Sequence, residues 1–303
     1  MTPTYDLLRQ TLDIVETNLY KPLTASSLAR ELAVSAVHLQ RVFKLAFEQS
    51  LASYIRERKL SVSAELLHTT DMRLIDISMQ IGFDYEQSFI RTFKQAYELT
   101  PGEARQRGAI LPLTLPKRLH ASHSLESDGL FFGPKWVMVP QFYAVGRKQA
   151  IPFAQSLENA PKTAEDFWTT DATSVPNRRG SQVYIGMTQV PEPRGDFSYY
   201  TPSVPVHSLR DVPAGLTGYN WPAQLCARFH YVGQHPYHEL NRNTAVQMYQ
   251  AIDTYRQDTT TPYELCNHLT YFEKIDLRDC GDTYCKLQWY TPVKLRDSAV
   301  LQS

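Results

Sequence analysis

Apolar positions in the first hundred residues recur at helical spacing, in short runs separated by capping residues and turns. Thr24 precedes Leu28, Ala29 and Leu32, the chain turns through Ala33 and Val34, and Ser35 caps a second run. In that run Leu39, Val42, Phe43 and Ala46 fall at i, i+3, i+4 and i+7, the stripe of a helix with one buried face. The pattern then returns: Leu74, Ile77, Ser78 and Ile81 form a first helix, Gly82 supplies the turn, Asp84 stands as the cap, and Phe89, Phe93 and Tyr97 form the next core stripe. Gln40-Arg41-Val42-Phe43-Lys44 reappears as Ile90-Arg91-Thr92-Phe93-Lys94, so the arrangement helix, tight turn, helix is duplicated. Between the copies, Leu51 to His68 predicts one long helix, and Thr100-Pro101-Gly102-Glu103 opens a last one with proline at its first position.

Beyond Arg105 the helical period gives way to Gly108, Pro112, Pro116 and the polar stretch His120 to Gly129, which reads as a linker. From Trp136 onward strand-like runs appear at Trp136 to Gly146, Gln182 to Val190 and Phe197 to Val206, with a helical stretch at Phe153 to Trp168. The order repeats with Gln224 to Val232 as strand, Pro236 to Arg256 as helix, and His268 to Ile275 and Tyr284 to Val293 as strands. The chain is therefore expected to be multidomain. An all-α double helix-turn-helix domain is followed by an α+β domain, with an antiparallel sheet, two helices and a cleft between pseudo-symmetric halves.

The second helix of each pair carries a polar face as well as a core stripe. Val37, Gln40, Arg41 and Lys44 share one helical spacing and lie opposite the apolar stripe; Glu86, Gln87, Arg91 and Lys94 do the same in the second copy. Gln pairs with adenine, Arg with guanine and Lys with phosphate, so each face suits a major groove. One such face alone reads as solvated surface, whereas the same face twice favours a DNA reader. The long helix, about 27 Å at 1.5 Å per residue, would hold the readers near one DNA turn apart, about 34 to 36 Å. A monomer then does what a helix-turn-helix dimer does. Arg56, Arg58 and Lys59 on the spacer are candidate phosphate contacts, with ordinary solvated positions as the alternative.

Composition narrows the field. A chain of 303 residues can bury two cores, and 43% hydrophobic with 20% charged residues describes a globular protein. No apolar run approaches the roughly eighteen residues of a membrane span, and the start lacks a signal-peptide pattern, so the expectation is cytoplasmic, without a membrane partner. The net charge of zero gives no hint of nucleic acid; residues 1–120 hold fifteen Lys/Arg against thirteen Asp/Glu, so placement carries the case. Cys226, Cys266, Cys280 and Cys285 lack zinc-ligand spacing, which leaves no metal expected, and Cys280 and Cys285 face each other across a hairpin as reduced thiols or a redox pair. No catalytic or cofactor motif is present, so no catalytic residues and no cofactor are expected and the chain does not read as an enzyme.

Residues 18 to 105 resemble the DNA-binding region of the AraC/XylS family. The resemblance runs through Asn18-Leu19, Pro22-Leu23, Leu28-Ala29, His38-Leu39-Gln40-Arg41, Phe43-Lys44, Tyr54-Ile55-Arg56, Arg58-Lys59, Ile81-Gly82-Phe83, Gln87 and Arg91-Thr92-Phe93-Lys94. It implies a transcription activator that binds double-stranded DNA and works with RNA polymerase, Gln40 and Arg41 reading one groove segment and Gln87 and Arg91 the next. Three departures mark a variant reader: Val37 in place of a tryptophan, Glu48 in place of the helix-ending glycine, and Glu86 in place of a neutral glutamine.

Residues 134 to 294 resemble a GyrI-like effector-binding domain, through Val212-Pro213-Ala214-Gly215, Phe229-His230-Tyr231-Val232-Gly233, Pro262-Tyr263-Glu264-Leu265, Phe272-Glu273 and Pro292-Val293. This implies a small-molecule effector, lipophilic and cationic, facing Glu273 among aromatic walls drawn from Trp168, Tyr219, Trp221, Phe229, Tyr271 and Trp289. A carboxylate among rings is costly alone; a ligand cation relieves that cost and adds cation-π attraction. Read without the resemblance, Glu273 is a surface or Arg-paired strand residue and most of the rings are core or sheet surface. The expected domains are 1–110, a linker at 111–133, and 134–295. A different class of function, an enzyme or toxin-sequestering protein acting through the second domain, remains open at this point.

Overall fold

The computed structural model describes residues 3–125, 129–191, 195–240, 242–258, 260–266 and 270–296. The chain divides into two compact units, Pro3–Ser122 and the residues from His123 onward.

The first unit is all helical: α1 (Pro3–Thr17), α2 (Ala25–Glu31), α3 (Ala36–Phe47), α4 (Leu51–Thr69), α5 (Leu74–Gln80), α6 (Glu86–Tyr97) and α7 (Pro101–Arg107). The pairs α2/α3 and α5/α6 are the two helix-turn-helix copies. Thr24 and Ser27 close a capping box on α2, Ser35 accepts from the His38 amide on α3, and Thr100 and Glu103 form a capping box on α7. Asp84 is not the cap expected for α6: that position belongs to Tyr85, and no side chain caps the helix. Gly82 turns with φ +77, as the pattern required. Glu48 at the end of α3 adopts the left-handed cap conformation despite its side chain, and Glu98 at the end of α6 does likewise.

Helix α4 does not have one buried stripe. Leu51, Tyr54, Ile55, Lys59, Leu60, Ser61, Val62, Ser63, Ala64 and Leu67 are all buried, which covers its circumference. It is the central post of the unit, not an exposed rod.

The linker expected at 111–133 is corrected at both ends. Residues 109–120 form an extended strap fastened to the helical unit: the Thr114 amide donates to Ser61 Oγ at 2.9 Å, the Lys117 amide to Tyr54 OH at 3.1 Å, and Tyr5 OH to the Leu119 carbonyl at 3.3 Å. Lys117 Nζ also lies over the rings of Phe47 and Tyr54. Past the strap, sheet structure starts at Ser124. The strap's backbone groups find partners on α1 and α4, a tertiary effect invisible in a Pro-rich stretch.

Among the described residues, the second unit is α+β with one antiparallel sheet. Its elements are β1 (Ser124–Leu125), β2 (Gly129–Val139), β3 (Phe142–Gly146), β4 (Gln149–Pro152), α8 (Ser156–Thr170), β5 (Val183–Gln189), β6 (Phe197–Val206), β7 (Thr217–Trp221), β8 (Gln224–Gly233), α9 (Arg242–Gln257), β9 (Tyr263–Leu265), β10 (Tyr271–Asp276) and β11 (Cys285–Leu295). The order is β1-β2-β8-β11-β10-β5-β6-β3-β7, with β4 beside β6 and β9 beside β11. The strand expected at Trp136 to Gly146 is two strands, broken after Val139, and four short strands (β1, β4, β7 and β9) had no clear alternation in sequence. His268, taken as a strand start, lies outside the described residues.

Helices α8 and α9 pack on one face of the sheet, over Tyr184, Phe229, Ile275, Leu287 and Trp289. The other face carries a separate cluster of Ile185, Met187, Trp221, Cys226 and Phe272, with the Phe142 and Tyr290 rings against it. Strand alternation makes the division: Phe272 turns to one side, Glu273 to the helix side. The cysteines are free thiols. Gly281 and Tyr284 bridge the hairpin that brings Cys280 toward Cys285, and burial pushes the Cys285 thiol up to about 12.

Candidate nucleic-acid interface and ligand cavity

In the helical unit, each second helix is seated by its apolar stripe. Leu39, Val42, Phe43 and Ala46 bury α3; Phe89 and Phe93 bury α6, with the Phe83 and Tyr97 rings tilted against them at either end. Rotation about those stripes leaves Val37, Gln40, Arg41 and Lys44 exposed on α3, and Gln87, Arg91 and Lys94 on α6; Glu86 is half-buried. The two helices thus offer like-placed Gln, Arg and Lys side chains.

The spacer contributes less than expected. Arg56 is exposed and donates to Ser53 Oγ at 3.3 Å. Arg58 and Lys59 are corrections: neither points outward. Arg58 forms a two-pronged pair with Glu16, Nε to Oε1 at 2.9 Å and Nη2 to Oε2 at 2.7 Å, while Nη1 donates to the strap carbonyl of Thr114 at 2.5 Å. Tyr54 OH donates to the same carboxylate at 2.7 Å, and burial beside Glu16 raises its pKa. Lys59 is 7% exposed; its Nζ donates to the Lys21 carbonyl at 2.8 Å beneath the Gly82 turn, and burial lowers its pKa. Both are internal braces, held inward by Glu16 and the Thr114 carbonyl in one case and by the Lys21 carbonyl in the other, which leaves Arg56 as the spacer cation that faces outward.

In the second unit, α8, α9 and the helix side of the sheet enclose a cavity of about 510 Å³. Trp168, Tyr271, Glu273 and Trp289 are among its lining residues. Tyr219 and Trp221 are not; they line a smaller cavity of about 290 Å³ that shares none of these residues. Phe229 is also absent from the lining: it is fully buried in the core, against Phe131 and Tyr255.

The residues missed were Tyr184, Tyr200, Tyr237 and Tyr249. Tyr184 OH meets Tyr200 OH, and Tyr200 OH donates to Glu273 Oε1 at 2.5 Å. Tyr249 and Tyr271 join their hydroxyls at 3.1 Å. Glu273 pairs in register with Gly186 on one side and Trp289 on the other. A Cβ at Gly186 would collide with the Glu273 carboxyl and the Tyr200 hydroxyl, so glycine makes the space for this hydrogen bond. A glycine inside a strand pattern was the available signal.

Glu273 keeps some surface open to the cavity, but its carboxyl lies deep. Desolvation raises its pKa from 4.5 to about 6, against the lowering effect of the Tyr200 hydrogen bond. Burial, and then the Glu273 charge, drive Tyr200 well above the ordinary tyrosine value, so it remains a donor. No Lys or Arg among the described residues forms an ion pair with Glu273. Arg242 and Glu165 are charged lining residues further along the wall.

A duplicated helix-turn-helix unit with outward Gln, Arg and Lys, followed by an α+β unit, defines a DNA-binding transcription regulator. A helix-turn-helix domain model matches residues 28–107. The chain is 31% identical over 101 residues to the regulatory protein SoxS of Salmonella typhimurium, covering 33% of this chain and 94% of that protein. It is 37% identical over 100 residues to the right origin-binding protein of Escherichia coli, and there the match spans 33% of this chain and 35% of the relative. Among solved structures, SAV2435 bound to tetraphenylphosphonium is 14% identical with a TM-score of 0.41, over 53% of this chain and 93% of that one. The chain belongs to the AraC/XylS family of transcription regulators.

Proposed function

We propose that this regulator is controlled by a small lipophilic cation, which binds in the α8/α9 cavity with its charge against Glu273. The observation that carries the reading is a carboxylate desolvated by burial, hydrogen-bonded by Tyr200, and without a cationic partner among the described residues. An uncompensated buried charge is retained against its cost when something transient supplies the opposite charge. The aromatic lining from Trp168, Tyr184, Tyr271 and Trp289 suits a cation whose charge is spread over apolar groups. The volume is in the range of small-molecule sites. On the DNA side, Gln40 and Arg41 read bases from α3, Gln87 and Arg91 from α6, and Lys44 and Lys94 hold phosphates, with RNA polymerase as the downstream partner.

All four tryptophans, Trp136, Trp168, Trp221 and Trp289, lie in the second unit, and two of them line the cavity. Titration of the full chain with tetraphenylphosphonium should therefore give saturable quenching of tryptophan fluorescence, lost in Glu273→Gln. Equal binding by the Gln variant, or no saturable change in either protein, removes the proposal.

A further inference from the structure

The two reader helices start differently. The repeat aligns Ser35 with Tyr85, each the N-cap of its reader, since Arg41 and Arg91 lie six residues beyond. Ser35 accepts a hydrogen bond from the His38 amide at 3.1 Å. Tyr85 accepts none through its side chain, and Asp84 just before it does not substitute. The second reader thus forgoes a cap of the kind that stabilises the first. In its place stands the most exposed aromatic side chain of the described residues, Tyr85 at 73%. A large ring held in water at a position where a small polar residue would stabilise the helix breaks a local rule without gain to the fold, and such exceptions concentrate where a partner binds.

We infer that Tyr85 is a phosphate-contacting residue of the second reader. With α6 in the major groove, its N-terminal residues approach the DNA first, and the residue at the cap lies where the helix crosses the groove wall. There the phenol hydroxyl donates to a phosphate oxygen and the ring covers deoxyribose. A neutral donor adds affinity without sequence information, and it does not add to the salt dependence. Glu86, the next residue, is half-buried and repels the same backbone, so a neutral donor suits this end of the helix better than another charge. The inference rests on α6 being a reader, and the test separates the two.

Full-length Tyr85→Phe, Tyr85→Ser and Arg91→Ala are compared with the parent chain. The probes are a duplex selected from a random pool by the parent chain and an unrelated duplex of the same length. Helix melting is followed by circular dichroism. Tyr85→Phe should weaken binding by about tenfold on both duplexes, and Tyr85→Ser by at least as much. Tyr85→Ser should at the same time raise helix melting by about 4 °C, because serine restores the cap. Arg91→Ala weakening only the selected duplex alongside these losses supports both assignments. If Arg91→Ala weakens binding and neither Tyr85 variant does, the inference fails and the reader stands; if none of the three weakens binding, both fall. Loss confined to the selected duplex, or loss accompanied by lower melting in Tyr85→Ser, also overturns the phosphate role.

Discussion

Replacing Glu273 with glutamine should make the second unit more stable while disabling its ligand site. The fold raises the pKa of this carboxyl from 4.5 to about 6, so the folded chain holds the proton more tightly than the unfolded one. Between those values the folded form binds more protons, and stability must fall as pH rises. The cost is absent below about pH 4.5 and complete above about pH 6. Each pH unit of displacement is worth about 1.4 kcal/mol, giving about 2 kcal/mol at most, and about 1 kcal/mol once water in the open cavity screens the charge. Glutamine keeps an acceptor for Tyr200 and carries no charge, so at pH 8 Glu273→Gln should be about 1 to 2 kcal/mol more stable, the difference vanishing near pH 4.5. Urea unfolding followed by tryptophan fluorescence reads this directly, because the helical unit has no tryptophan. In the parent protein, tetraphenylphosphonium at a hundred times its Kd should add about 2.7 kcal/mol at pH 8, and less at pH 5. A Gln variant that is equally or less stable at pH 8, with the same pH profile as the parent, would show that ionised Glu273 is not a strained group.

Arg41→Ala should weaken binding to a selected DNA site by about 1 to 3 kcal/mol, relaxing preference at one base position, as measured by competition with single-base variants. Arg58→Ala should instead destabilise the helical unit by about 3 kcal/mol, because the Glu16 carboxylate keeps only its Tyr54 hydrogen bond and loses its counter-charge, and the strap loses its bond at Thr114; circular dichroism melting would detect it. The salt dependence of DNA binding should not change in that variant, and a lower salt slope would restore Arg58 as a phosphate contact.

How far the sequence could be read depended on whether one element or several decide a residue's place. The outward faces of α3 and α6 were legible because local spacing alone fixes which side of each helix meets the core, and the repeat shows the same spacing in both copies. Arg58 and Lys59 were misplaced because their partners, Glu16 and the strap carbonyl of Thr114 for one and the Lys21 carbonyl for the other, lie far away in sequence. Glu273 entered through a family resemblance, since one strand carboxylate among many carries no local mark. Tyr184 and Tyr200 went unnoticed because tyrosine is common in strands, and their approach to Glu273 depends on the register across Gly186. Tyr219 and Trp221 were assigned to the wrong cavity: they belong with Phe272 to the cluster on the face of the sheet opposite Glu273. Phe229 faces the helices, directly opposite Trp289 in register, but Phe131 and Tyr255 fill the space over it.

The most direct test of ligand control is DNA affinity measured with and without bound cation. Full-length protein should be titrated onto a selected duplex at constant ionic strength, in the absence of tetraphenylphosphonium and at a saturating concentration of it. The expected outcome is a change in Kd of at least fivefold for the parent chain and none for Glu273→Gln, since two coupled sites typically exchange 1 to 3 kcal/mol. Saturated cation binding that leaves the DNA Kd of the parent chain unchanged would mean that the cavity does not control the readers.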